Sequence, residues 1–113
     1  MGKYQDLIIF QKADDLAFQI YKVTESFPRS ELFGISSQLR RAALSIPTNI
    51  AEGYSRKSRK ELKQFINISL GSLAETRYLF DFSKRLRYHK ESDHIATLID
   101  EVGRVLWSFY RSL

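Results

Sequence analysis

The sequence predicts an all-α protein, an antiparallel up-down-up-down four-helix bundle. Along four segments, apolar residues recur in alternating steps of three and four, which is the spacing of one face of an α-helix. Only two prolines and five glycines interrupt the 113 residues. The segments are joined by short connections, which favour antiparallel neighbours. We therefore expect a single domain over residues 1–113, with helices at about 11–26, 36–55, 58–87 and 92–112.

The first helix follows a short apolar run at residues 7–10. This run could form a strand, but no second strand is visible to pair with it. We interpret it as an extended arm or a first turn that packs on the bundle. The helix should end at Phe27, because the residue before a proline is disfavoured in the helical region.

The second helix carries Pro47 at its centre. A proline gives no hydrogen bond to the carbonyl four residues earlier and crowds it, which costs about 3 kcal/mol in a helix interior. A break at Pro47, with a second short helix after it, is one alternative. We expect a kinked continuous helix instead, because the apolar stripe from Leu39 to Ile50 keeps its phase across the proline. Ser36 or Ser37 is the expected N-cap.

The third helix begins with a capping box at Ser58 and Glu61. It carries two adjacent stripes with helix-packing spacing. The first consists of Leu62, Ile66, Ser69, Leu73, Thr76 and Phe80, and the second of Phe65, Ile68, Ser72, Glu75, Leu79, Phe82 and Leu86. One stripe suffices for a monomeric bundle. The second predicts either a contact with another subunit or a second neighbour within the chain, and both remain open.

The fourth helix extends from about residue 92, where Ser92 is a candidate cap, and carries apolar residues from Ile95 to Leu113. Val105 and Trp107 broaden its apolar arc.

The formal net charge is +5, and it is unevenly distributed. Residues 34–90 contain twelve Lys or Arg against four Asp or Glu, a balance of +8. Lys84, Arg85, Arg87 and Lys90 suit the C-terminal end of the third helix, where cations are favoured. Positive charge is unfavourable at its N-terminal end, where a second group lies. This group, named the basic cluster below, consists of Arg56, Lys57, Arg59, Lys60 and Lys63. Phosphate binding would explain it, and solubility is the alternative.

Two carboxylates lie in or beside apolar helical faces, Glu52 and Glu75. A buried carboxylate needs a partner, and arginine offers a two-pronged one. Arg40 and Arg41 are the candidates, so we expect structural or intersubunit ion pairs among these four residues.

Nothing in the sequence indicates catalysis. There is no cysteine, and His89 and His94 match no metal-binding spacing, so they are expected to be solvated turn residues. No catalytic residue, metal or cofactor is expected. The sequence has no apolar run long enough to span a membrane and no signal-peptide pattern, so we expect a cytoplasmic protein with no membrane partner.

Several motifs together resemble those of the four-helix-bundle proteins encoded in intervening sequences of bacterial 23S rRNA genes. The most specific is SQLRRAALSIPTNIAEGYSR at residues 37–56, followed by GSLAE at residues 71–75. Phe10 departs from the pattern, where tryptophan is expected. The resemblance implies an antiparallel bundle that assembles as a ring-shaped homopentamer. The chain is also similar to the accessory protein of diversity-generating retroelements, a basic pentamer that binds nucleic acid and a reverse transcriptase.

The expected function is therefore that of a non-enzymatic, ring-forming homo-oligomer whose basic surface binds RNA or DNA. The alternative is a protein-interaction scaffold whose charge serves only solubility.

Overall fold

The computed structural model describes residues 3–90 and 92–113, and in them it contains four α-helices and no strand. The all-α prediction is confirmed. Two short 3₁₀ turns, Tyr4–Asp6 and Arg29–Glu31, precede the first and second helices. The helices are α1 (Ile8–Thr24), α2 (Ile35–Tyr54), α3 (Arg59–Arg85) and α4 (Asp93–Ser112). None of the described helices is both long and apolar enough to cross a bilayer.

Each helix packs against two neighbours, α1 and α3 both contacting α2 and α4. The hydroxyl oxygens of Ser45 and Ser72 lie 2.8 Å apart between α2 and α3, and Arg77 donates to Asp100 at 2.7 Å between α3 and α4. These pairings are the ones expected of antiparallel neighbours, although the complete up-down-up-down order stays a prediction. The four helices share one apolar core, whose largest fully buried aliphatic side chains are Leu16, Ile20, Leu39, Ile46, Ile50, Ile66, Ile95, Ile99, Val102 and Leu106.

The apolar run at residues 7–10 leads directly into α1. Leu7 is the residue before the helix, and its carbonyl accepts the amide of Gln11 at 3.0 Å. Residues 8–10 are therefore the first turn of the helix, and a strand at this position is ruled out. The rings of Tyr4 and Phe10 meet edge to face at 4.7 Å, so the 3₁₀ turn packs on α1.

Helix α2 continues through Pro47, which is buried, so the alternative of a break there is wrong. Side chains supply donors to the carbonyls around the proline. Thr48 and Asn49 each donate to the carbonyl four residues earlier at 2.8 Å, and the buried Ser69 of α3 donates to the carbonyl of Ile46 at 2.9 Å. These bonds stabilise a turn that Pro47 deprives of one amide donor. The expected kink stays a prediction.

The expected cap of α2 was wrong. The helix begins one residue earlier, at Ile35, and the N-cap position is Gly34. Glu31 from the preceding 3₁₀ turn accepts the amide of Ile35 through Oε1 at 3.3 Å, so a side chain from outside the helix satisfies the first amide of α2.

Helix α3 begins with the expected N-cap, since Ser58 Oγ accepts the amide of Glu61 at 3.0 Å. The Glu61 carboxylate accepts the hydroxyl of Ser58 at 3.2 Å, where a capping box would have it accept the Ser58 amide. Its first stripe faces the core, where all members except the half-buried Leu62 are buried. Its second stripe lies towards α2 but is incompletely covered, and Ile68, Phe82 and Leu86 are 49%, 36% and 43% exposed.

Candidate nucleic-acid interface

The basic cluster lies where α2 passes into α3. Residues 55–58 form the connection, and the remaining members lie in the first turns of α3. Four members are exposed and Lys63 is half-buried. Their contacts divide the cluster into structural cations and free ones.

Arg56 is a structural residue of the connection. Its guanidinium contacts Glu52 at 2.9 Å and Glu61 at 4.0 Å, and it lies over the ring of Phe65 at 4.9 Å. These contacts hold the end of α2 against the start of α3. Because two carboxylates compensate its charge, Arg56 contributes little to the field that an anion would meet.

Lys57, Arg59 and Lys60 have no carboxylate within 4.0 Å in the part of the chain that the structure describes. They surround the N-terminal end of α3, where the helix dipole already presents a partial positive charge. Each positively charged side chain at this position destabilises the helix by about 0.3–1 kcal/mol. An anion placed here would meet both the side-chain charges and the dipole.

Lys63 connects the cluster to an aromatic surface of α4. Its Nζ lies 4.8 Å from the centre of the Tyr110 ring, and Trp107 stacks on Tyr110 with centroids 5.6 Å apart and an angle of 17° between the planes. Trp107 is 51% exposed, so the apolar arc in which the sequence placed it is only partly covered by the core. Arg104 and Arg111 lie three residues before and four after it, on the same helical face, and both are exposed.

Sequence reasoning overlooked Arg104 and Arg111 and assigned Trp107 to the apolar arc, because the apolar period of α4 dominates that segment. The signal that could have revealed them is their own spacing, which places two cations one turn either side of an aromatic residue.

The expected ion pairs are not formed within one chain. Glu52 is exposed and contacts Arg56 instead of Arg40 or Arg41. Arg40 donates through Nε to the hydroxyl of Thr24 at 2.7 Å. The carboxylate of Glu52 points to the nearer cation because Arg56 lies one turn later on the same helix.

Arg41 and Glu75 line a groove of about 340 Å³ between α2 and α3, together with Gln38, Ala42, Ser45 and Ser72. Both are exposed, and they form no ion pair with each other within 4.0 Å. An intersubunit ion pair at these residues stays a prediction.

His89 is a core residue, so its expected position as a solvated turn residue was wrong. Its ring stacks on Phe80 at 4.2 Å and on Phe27 at 5.9 Å. Nε2 donates to the carbonyl of Phe80 at 3.2 Å, and Nδ1 accepts the hydroxyl of Ser92. Desolvation by burial lowers the pKa of His89. Both ring nitrogens are thus occupied, and the imidazole is a neutral structural group.

His94 is exposed, as expected. Among residues 3–90 and 92–113, no three His, Cys, Asp or Glu side chains lie close enough together to hold a metal ion. The chemistry that this surface offers is that of guanidinium, ammonium and aromatic groups, which suits binding to an anion that also carries flat rings.

Comparison with known proteins agrees with the resemblance seen in the sequence. A crystal structure of a protein of unknown function from the S23 ribosomal protein family of Bacteroides thetaiotaomicron is 26% identical, with a TM-score of 0.80 over 91% of this chain and 98% of that one. No curated protein matches the chain. The family model described as 23S rRNA-intervening sequence protein matches residues 5–108. Because this match covers nearly the whole sequence, the chain belongs to the 23S rRNA-intervening sequence protein family.

Proposed function

We propose that the protein is a non-enzymatic, ring-forming homo-oligomer of the bacterial cytoplasm whose basic surface binds nucleic acid, RNA or DNA. One observation carries the nucleic-acid part of this proposal. Lys57, Arg59 and Lys60 are exposed and lack carboxylate partners at a helix end where their charge is unfavourable. A polyanion would compensate them and release counterions.

Two features support contacts between copies of the chain. The second stripe of α3 leaves Ile68, Phe82 and Leu86 partly exposed, although apolar residues on a helix are stabilised by burial. Glu75 of the same stripe and Arg41 of α2 line one groove with opposite charges, and they form no ion pair with each other within the chain. A second copy could cover the apolar residues and pair these charges.

The nucleic-acid proposal is tested by measuring affinity for a generic RNA across a salt series. The logarithm of the affinity should fall linearly with the logarithm of salt concentration, by about 0.7 per phosphate neutralised on a single strand. Changing Lys57, Arg59 and Lys60 to Gln should weaken binding and make the salt slope shallower by about two. Arg56 is left in place because it stabilises the connection.

The matched control removes three charges elsewhere, with Lys84, Arg85 and Lys90 changed to Gln. It carries the same net charge as the test variant, so a loss of affinity confined to the test variant assigns binding to the basic cluster. Equal losses would make the interaction non-specific. RNA binding that is undetectable at low salt, with the assembly intact, would contradict the proposal and favour the scaffold.

The assembly proposal is tested by the mass of the native protein over a range of concentrations. Changing Glu75 to Ala should reduce the assembled mass, because an arginine of the neighbouring copy would lose the carboxylate with which it is proposed to pair. The helical content should be unchanged, because Glu75 makes no ion pair within the described chain. A monomeric wild-type protein at high concentration would contradict the proposal.

A further inference from the structure

Resting on the proposed function, we infer that the ligand of this surface is single-stranded nucleic acid and that an unpaired base stacks on the exposed face of Trp107. Trp107 lies outside the basic cluster and would be the residue that recognises a base.

The first step is the fixed orientation of the indole. Trp107 is 51% exposed, yet its ring is held nearly parallel to that of the half-buried Tyr110, 5.6 Å away. Lys63 lies over the same tyrosine ring. A half-exposed aromatic ring that is already supported by a neighbour loses little freedom when another flat group stacks on it.

The second step is the charge around the indole. Arg104 and Arg111 lie on the same face of α4 as Trp107, and Lys63 of α3 lies over the ring of Tyr110, on which Trp107 stacks. None of the three has a carboxylate within 4.0 Å among the residues that the structure describes. Arg59, one turn before Lys63 on α3, continues this cationic surface into the basic cluster.

The surface combines cations with an exposed aromatic ring. Surfaces that bind single strands contact the backbone with cations and stack successive bases on aromatic side chains. In a duplex, the faces of the bases are covered by their neighbours, so only an unpaired or extruded base could reach the indole. The combination therefore favours a single strand over a duplex.

Another exposed aromatic residue lacks this setting and provides a matched control. Phe18 of α1 is 62% exposed, and Lys22 lies over its ring at 5.6 Å. However, Asp14 and Asp15 lie four and three residues before it on the same helical face. A polyanion would be repelled there, so Phe18 should not contribute to binding.

The experiment uses the fact that Trp107 is the only tryptophan in the chain. Its fluorescence is followed while the intact protein is titrated with an oligouridine strand, with an abasic strand of equal length, and with a duplex. Oligouridine should quench the emission saturably. The abasic strand has the same phosphates without bases, so it should bind more weakly and leave the emission nearly unchanged.

Affinities of the variants are then measured by the anisotropy of a labelled oligouridine. Trp107→Ala should weaken binding by about 5- to 150-fold, the range expected for the loss of one base–aromatic stack. Trp107→Phe should recover part of this loss, and Phe18→Ala should bind like the wild type. Thermal unfolding of each variant checks that the fold is retained.

The outcomes separate this inference from the proposed function. If oligouridine and the abasic strand bind equally well and Trp107→Ala changes neither affinity, nucleic-acid binding stands and base stacking is refuted. Preferential binding of the duplex would also refute it. If the indole is shielded from acrylamide in the free protein, a second copy covers it and the inference fails. If no nucleic acid binds at low salt, the proposed function fails with it.

Discussion

Replacing Gly53 by alanine is expected to destabilise the protein, although alanine is the better helix former. Glycine costs about 1 kcal/mol relative to alanine in a helix interior, and less near the end of a helix such as this one. A Cβ added at Gly53 would lie 2.7 Å from Cβ of Phe65 and 3.2 Å from Cδ1 of Leu62. The first of these atoms is fixed to the backbone of α3, so the helices would have to separate. Overpacking of this kind costs about 1–3 kcal/mol.

Gly71 provides the matched control because it lies in the interior of α3 with no atom within 4 Å of an added Cβ. Gly71→Ala should therefore stabilise the protein by about 0.5–1 kcal/mol. The free energies of unfolding of the two variants should differ by roughly 2 kcal/mol. For a domain of this size, that corresponds to roughly 8 °C in melting temperature.

Thermal and urea unfolding at several protein concentrations would measure this difference. Equal stabilisation by both substitutions would show that the close approach of α2 to α3 at Gly53 is absent. A loss of stability or of assembled mass in Gly71→Ala would instead contradict the open position of Gly71.

Three further predictions concern stability. Because burial lowers the pKa of His89, the unfolded chain binds a proton at a higher pH than the folded chain does. The stability contributed by the neutral His89 should therefore be fully present above about pH 6.5, and the free energy of unfolding should decline as the pH falls below that value. Urea titrations between pH 7.5 and 5.5 should lose this slope in His89→Gln and keep it in His94→Gln. Ser69→Ala should cost about 1 kcal/mol in urea unfolding, because a buried hydrogen bond to α2 is lost, and an unchanged midpoint would contradict that bond. Arg56→Ala should lower the free energy of unfolding by less than about 1 kcal/mol, because its ion pair with Glu52 is exposed. A larger loss would contradict the small contribution expected of an exposed ion pair.

The helices could be predicted from the sequence because their signals are local. The periodic apolar positions of α1 to α4 and the N-cap at Ser58 act within a few residues, and the structure has four helices at these segments. The bounds of α1 were wrong, because the apolar run at residues 7–10 leads into the helix, which begins at Ile8, and because the helix ends at Thr24, before Phe27. The cap of α2 was misplaced because the helix begins before both serines, at Ile35, whose amide is accepted by Glu31 from outside the helix.

The burial of His89 was underestimated from the sequence and that of Trp107 was overestimated. His89 has polar neighbours in sequence, but Phe27 and Phe80 arrive from other segments and enclose it. Trp107 fits the apolar arc of its helix, but that arc is wider than the core against which α4 packs. Burial at the edge of a helical face depends on neighbours that are distant in sequence, which periodicity does not report.

The proposed contact between copies and the proposed contact with nucleic acid use different flanks of α3. The second stripe lies on the flank towards α2, where Phe65 meets Gly53 and Ser72 meets Ser45. The aromatic surface lies on the flank towards α4, where Lys63 meets Tyr110. Because the flanks are separate, copies joined through the second stripe would leave the aromatic surfaces open. An assembled ring would then present several such surfaces to one strand. The ring should bind a strand more tightly than a single copy does, because contact at one surface raises the effective concentration of the strand at the next.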